Sequence, residues 1–279
     1  MKKNNRNNLL ESIVRKRRDD AYYASAEIPP SELESLARKR VHRSLTRVLK
    51  GAKEPCIIAE MKRTSPSAGM LCVDYEPGKI ARIYEESGAK AVSVLTEPHH
   101  FHGDIKHIRE VRQTIGLPIL RKDFISDSYQ VFESAAWGAD IILLIASVLD
   151  SFLLKDLYQQ ALESNLEVLI ESHSREELET AAEYQDAVLG INNRNLKTME
   201  TDLSIGHELA EFVPPGRMTV VESGIKTRAE VIQFWELGYK GFLIGKALMR
   251  SDSPGRLLHD LAGKQGKICV SIGEGKYGD

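Results

Sequence analysis

The sequence predicts the α/β class: a closed (β/α)₈ barrel with an N-terminal helical extension. Three observations carry this. From about residue 51 onward a strand-like run alternates with a helix-like run. Most strand-like runs are rich in Ile, Val and Leu without clean alternation, as strands covered on both faces should be. Five short polar signatures sit at the ends of apolar runs: Ala59-Glu60-Met61-Lys62, Leu120-Arg121-Lys122-Asp123-Phe124, Leu169-Ile170-Glu171-Ser172, Gly190-Ile191-Asn192-Asn193-Arg194 and Val221-Glu222-Ser223-Gly224. An unpaired charge in low dielectric is costly, so a buried strand normally stays apolar. Repeating the exception implies that these ends meet at one wet, functional place. Parallel strands closed into a TIM-type barrel provide it at their carboxyl ends. The rival, an open doubly wound sheet, usually announces a glycine-rich turn after its first strand, and Met61–Gly69 holds only Gly69.

The strand candidates, in order, are Cys56–Glu60, Ala91–Leu95, Pro118–Arg121, Asp140–Ile145, Glu167–Glu171, Ala187–Ile191, Met218–Glu222 and Gly241–Ile244. The helix candidates are Pro77–Ser87, Asp104–Ile115, Asp127–Trp137, Asp150–Ser164, Ser174–Glu183, Asp202–Phe212, Thr227–Leu237 and Pro254–Leu261. Several open on an N-cap residue or proline, such as Asp127, Asp150, Ser174, Thr227 and Pro254. Several close on glycine, as at Gly88, Gly138 and Gly238. Ahead of them lie two helix-like segments, near Asn8–Asp20 and Ser31–Lys50, separated by Pro29-Pro30. The chain thus divides into an extension (1–50) that packs on the barrel, the barrel (51–263) and a tail (264–279). The run Arg15-Lys16-Arg17-Arg18 reads first as a solvated helical face. Its alternative is a cover near the mouth that attracts an anionic substrate. A nucleic-acid arm is least favoured, since the run is short and lacks interleaved aromatics.

With 279 residues, 42% of them hydrophobic, a full core is available and wholesale disorder is disfavoured. A formal net charge of -2 gives no push towards nucleic acid or membrane. The three cysteines are scattered, without zinc-ligand or disulfide spacing, which fits a reducing compartment. No apolar run approaches the ~20 residues of a spanning helix. The basic start is followed by no secretory stretch, so a cytoplasmic protein is expected.

The chemistry resides in the strand ends. Glu60 and Lys62 are two apart and point the same way on an extended strand. Lys122, Glu171 and Glu222 end or follow the third, fifth and seventh strands. Closure brings two lysines and three glutamates into one mouth, a mixture suited to delivering and removing protons. A barrel-end salt-bridge network without chemistry is the bland reading, but buried ionic clusters are poor stabilisers. Gly224 and Gly245 follow the seventh and eighth strands, where backbone N–H groups often cradle phosphate. Ser223, Ser65 and Ser67 add hydroxyls, with Lys62 as the neutralising charge.

Taken together, IAEMKRTSPS, VLTEPHHFHGD, PILRKDFI, WGADIILLIAS, VLIESHS, LGINNRNLKTMETDL, VVESGI and FLIGKALM resemble the indole-3-glycerol-phosphate synthases of tryptophan biosynthesis. The resemblance runs from about Glu32 to about Leu261. It implies a small-molecule substrate, 1-(2-carboxyphenylamino)-1-deoxyribulose 5-phosphate, ring closure with loss of carbon dioxide and water, and neither metal nor organic cofactor. It leaves room for association with other enzymes of tryptophan biosynthesis. By resemblance, Lys122 is the general acid of ring closure and Glu171 its acid/base partner. Lys62 binds the substrate carboxylate or phosphate, Glu60 and Glu222 orient the lysines and hold sugar hydroxyls, and Asn192 hydrogen-bonds substrate. Arg194 braces its loop, and Phe124 offers an apolar wall to the anthranilate ring. Two rivals are weighed. Another phosphosugar isomerase or epimerase on this barrel would keep the phosphate pocket but gives no reason for the five charged positions. A non-catalytic barrel acting as a binding partner would be expected to have lost one of them.

Three features depart from the pattern. Lys246 stands where the family commonly has Ser, Thr or Glu; its side chain is expected to point to solvent, with tighter phosphate binding as the alternative. His99, His100 and His102 surround Phe101, and a polar top-face loop is favoured over a metal site. In the tail, Lys267-Ile268-Cys269 resembles the opening strand of phosphoribosylanthranilate isomerase; a remnant, a loose end and coincidence stay open, and no second barrel is expected to follow.

Overall fold

The computed structural model describes residues 4–38, 40–66, 68–196 and 198–264. Ser67 and tail residues 265–279 lie outside the described residues. Eight parallel strands close a barrel in sequential order, with the last pairing the first. They are β1 (Cys56–Met61), β2 (Ala91–Leu95), β3 (Ile119–Lys122), β4 (Ile141–Ile145), β5 (Glu167–Ser172), β6 (Val188–Asn192), β7 (Thr219–Glu222) and β8 (Gly241–Ile244).

The barrel has two apolar layers, and strand alternation sorts side chains between them. Cys56, Ile58, Leu120, Leu169, Val220 and Leu243 fill the interior. Ile57, Val92, Ile119, Ile170 and Val221 face the surrounding helices. The inward register then carries Ile58 on to Glu60, Leu120 to Lys122, Leu169 to Glu171, and Val220 to Glu222. The polar strand ends thus continue the interior column at its carboxyl-terminal opening, which is why they converge.

The outer helices follow the expected order, and their ends show why they begin where they do. The extension comprises α1 (Asn4–Glu27), α2 (Pro30–Ala37) and α3 (Leu45–Lys50); the barrel helices begin with α4 (Pro77–Glu86), α5 (Lys106–Thr114), α6 (Ser128–Trp137), α7 (Ser151–Glu163) and α8 (Arg175–Ala182). Then come α9 (Ser204–Leu209), continued by a 3₁₀ turn over Ala210–Phe212, α10 (Arg228–Glu236), α11 (Lys246–Met249) and α12 (Pro254–Ala262). Asp150 caps α7 by accepting from Phe152 and Leu153 N–H. Thr227 and Glu230 form a reciprocal capping box on α10. Such caps contribute about 1 kcal/mol each.

The extension wraps the barrel from mouth to base. Ile13 of α1 joins the interior cluster beside Phe124. Leu33 of α2 packs with Ala21 and Tyr129, the last on α6. Leu45 and Leu49 of α3 join the same interior cluster as Cys56 and Ile58 at the amino-terminal ends of the strands. The segment expected as one helix over Ser31–Lys50 is two. Arg40 leaves helical geometry to donate to Ala139 O at 2.6 Å, and Arg43 N–H donates to Asp140 at 2.9 Å. The basic run is corrected as well. Arg15, Lys16 and Arg18 are exposed, but Arg17 is buried, because it binds Asp123 through Nε at 2.9 Å and Nη2 at 2.7 Å.

Candidate active site

The mouth encloses a cavity of about 650 Å³. At its centre Lys122 Nζ lies 2.6 Å from Glu171 Oε2 and 2.8 Å from Glu222 Oε2. Beside it Lys62 is paired with Glu60. Asn192 places its Oδ1 2.9 Å from Arg194 N–H and hydrogen-bonds Glu171 through its side chain. Arg194 in turn donates to Met199 O at 3.0 Å while also lining the cavity. Phe124 forms one wall and faces Phe101 with ring centroids 6.2 Å apart. Ser223, Gly224, Gly245 and Lys246 line the opposite rim. Ser65 is not among the lining residues; it lies in a short antiparallel pair, Thr64–Ser65 with Gly69–Met70.

Burial and charge set the proton affinities of the central trio in different directions. Burial opposes charge on Lys122, but Glu171, Glu222 and Glu60 outweigh it and hold the ammonium above the usual lysine range. Burial likewise opposes charge on Glu171, yet Lys122, His173 and the Asn192 hydrogen bond keep this carboxyl below its ordinary range. Glu222 goes the other way: burial and then the neighbouring Glu171 carboxylate outweigh Lys122 and raise it. The two carboxyls on one ammonium thus differ in proton affinity, with Glu171 the more readily ionised. Glu222 Oε1 has no partner among the described residues, leaving a buried polar atom open to a ligand.

Cations crowd the rim. Partial burial, then Arg250, Arg194, Lys226 and Lys62, lower the Lys246 ammonium below the usual lysine range. Lys246 is exposed, as expected, but it stands at the cavity edge within this positive group. Gly245 is required by close approach: a Cβ there would collide with the Glu60 carboxylate and press on its Cβ. Ser223 holds the left-handed conformation, φ 65°, at the end of β7, a strain that recurs at binding loops.

Several residues at the site escaped the sequence reading. Lys226 and Arg250 each stand one position beyond a quoted motif, after VVESGI and FLIGKALM. His173 follows Glu171 by two positions, and that spacing was the available signal. Glu97, fully buried, accepts from the N–H groups of His99, His100 and Phe101 at 3.0, 2.7 and 2.9 Å. It thereby shapes the histidine-rich loop and presents Phe101. The imidazoles diverge: His99 Nε2 lies 2.9 Å from Asp20 of α1, His100 Nδ1 lies 3.4 Å from Glu97, and His102 is exposed.

Fold and site together define a (β/α)₈-barrel protein with an acid–base centre and a cationic rim at the carboxyl ends of its strands. Among solved structures, 3-hexulose-6-phosphate synthase from Salmonella typhimurium shares this fold with a TM-score of 0.59 at 13% identity, over 75% of this chain and 97% of that one. The family model for indole-3-glycerol phosphate synthase matches residues 10–261, and the chain belongs to that family. The synthase of Albidiferax ferrireducens is 42% identical over 257 residues, 91% of this chain and 97% of that protein. That of Campylobacter fetus is 40% identical, over 92% of this chain and 100% of that protein.

Proposed function

We propose that this chain converts 1-(2-carboxyphenylamino)-1-deoxyribulose 5-phosphate to indole-3-glycerol phosphate, carbon dioxide and water, as a carboxy-lyase of tryptophan biosynthesis. The observation that supports this best is Lys122 Nζ between Glu171 and Glu222, at 2.6 and 2.8 Å. When the ring carbon attacks the sugar ketone, negative charge develops on oxygen. A preorganised ammonium is the donor such an oxygen needs. Lys122 supplies that proton as general acid. Glu171, kept ionised, accepts the carbon-bound proton lost as the new ring becomes aromatic. Glu222 offers its unpartnered Oε1 to the sugar hydroxyls. Lys62, oriented by Glu60, meets the substrate carboxylate or phosphate, and Asn192 hydrogen-bonds the substrate. Phe124 and Phe101 flank the anthranilate ring.

The phosphate belongs at the cationic rim, against the backbone at Ser223, Gly224 and Gly245, with Lys246 adding charge. Lys226 and Arg250 complete the positive group. Ser65 serves the phosphate only by moving towards the cavity on binding. The cytoplasm is the proposed setting, on the scattered cysteines, and association with other enzymes of the pathway belongs to the same proposal. Supplying the carboxyphenylamino-deoxyribulose phosphate to purified protein should produce indole fluorescence. Folded protein that forms no product would refute the proposal.

A further inference from the structure

The proposed reaction consumes one proton per turnover. The substrate carboxylate leaves as neutral carbon dioxide. The ketone oxygen takes two protons to leave as water, and one proton returns from carbon as the ring aromatises. One proton must therefore enter from solvent each cycle. Lys122 and Glu171 receive it, yet their side chains are only 14% and 1% exposed, and a bound substrate covers the mouth above them.

A second approach to Glu171 exists through His173, which follows β5 and is not among the residues lining the cavity. His173 Nε2 lies 3.4 Å from Glu171 Oε1, the oxygen that Lys122 leaves free. Nε2 is buried and has no hydrogen-bond partner among the described residues. The other side of the ring is anchored on α8: Nδ1 lies 3.4 Å from Glu177 Oε2, which also accepts from His173 N–H at 2.7 Å. The imidazole side chain is 11% exposed and Glu177 is 25% exposed, so this edge meets water. Reactive hydrogen bonds that are long in a free enzyme commonly tighten in its complexes.

On the reading of Lys122 and Glu171 given above, we propose that His173 delivers the consumed proton to Glu171. The imidazolium Nε2–H bond breaks as an O–H bond forms on Glu171, leaving neutral imidazole. Glu171 passes the proton to the Lys122 amine left by the acid step. Nδ1 keeps its proton, so the ring turns to bring the bare Nε2 to the exposed edge, where water returns the proton. His173 touches no reacting atom and acts through Glu171. The charged groups facing it are Glu171 and Glu222 from the strands and Glu177 from α8, with Lys122 behind Glu171. Burial opposes the imidazolium, but Glu177, Glu171 and Glu222 outweigh it and raise His173 above the ordinary histidine range. Deprotonation with rising pH therefore removes the donor.

The test compares H173Q with the wild-type enzyme from about pH 6 to 9, with and without added imidazole, and runs E171Q alongside. Turnover of H173Q should fall about tenfold or more, with KM within about twofold. The alkaline fall in kcat should flatten, and imidazole should restore turnover in proportion to its concentration. H173N repeats the measurement if H173Q does not fold. The proposal is overturned if E171Q is inactive while H173Q keeps wild-type kcat, if the loss lies in KM, or if imidazole repairs nothing. Normal turnover by E171Q would instead overturn the assignment of Glu171, and the delivery route with it.

Discussion

Replacing Arg17 by Met or Asp123 by Asn tests how the extension is fixed to the barrel. Both side chains are buried, with Arg17 6% and Asp123 1% exposed, and they share two hydrogen bonds of 2.9 and 2.7 Å. Charge-assisted bonds contribute about 1.5–3 kcal/mol each. Arg17→Met leaves Asp123 held by Arg121 at 3.0 Å, the Thr96 hydroxyl at 2.6 Å and Phe124 N–H at 2.9 Å. Its cost should therefore be about 2–4 kcal/mol. Asp123→Asn removes the carboxylate shared by two buried guanidiniums and leaves Arg17 only the Asp20 carboxylate, at 2.6 Å, and Arg121 only that of Glu133, at 2.7 Å, a loss of about 3–5 kcal/mol. Thermal midpoints should fall by about 2–4 °C per kcal/mol in a chain of this size. Burial opposes the Asp123 charge, but Arg17 and Arg121 outweigh it and hold the carboxyl well below the usual range. A depressed folded value stabilises the protein above the ordinary carboxylate range and is lost as pH falls through the folded one. The wild-type advantage over Asp123→Asn should thus shrink below about pH 4. Urea or thermal unfolding at several pH values reads all three effects. Equal, small losses for the two variants, or an advantage independent of pH, would refute the reasoning.

Removing charge at the rim with Lys246→Ala should raise KM about two- to fivefold with little change in kcat, the size expected of one exposed ion pair. Steady-state kinetics at two salt concentrations would check this, and an unchanged KM would place Lys246 outside phosphate binding. Gly245→Ala inserts a Cβ against the Glu60 carboxylate, so Glu60 must move and its pairing with Lys62 must reorganise. Turnover should drop about tenfold or more for so small a displacement of the acid–base set; normal activity would show that Glu60 is not held by this contact. Thr227→Ala should cost about 1 kcal/mol in unfolding experiments, through the lost capping box on α10.

The barrel was legible because its signals are local. Apolar runs gave the strands, and the inward register of β1, β3, β5 and β7 told which side chains would meet: Lys122 and Glu171, 49 positions apart, do so at 2.6 Å. What stayed hidden depends on partners distant in sequence. Arg17 looked like its neighbours Lys16 and Arg18 because its mate, Asp123, is 106 residues away. The break between α2 and α3 follows from Arg40 and Arg43 reaching residues about a hundred positions on, which no propensity records. Helix α5 starts at Lys106 because the Asp104 carboxylate accepts the Lys106 N–H at 2.8 Å. Helix α11 and the Thr64–Ser65 pairing are too short for any periodicity to reveal.

Lys122→Ala, given the carboxyphenylamino-deoxyribulose phosphate and followed both by indole fluorescence and by substrate binding, bears most directly on the buried ammonium as the acid of ring closure. Turnover should collapse by about 10²-fold or more while the substrate still binds. A variant that cyclises substrate at the wild-type rate would contradict it.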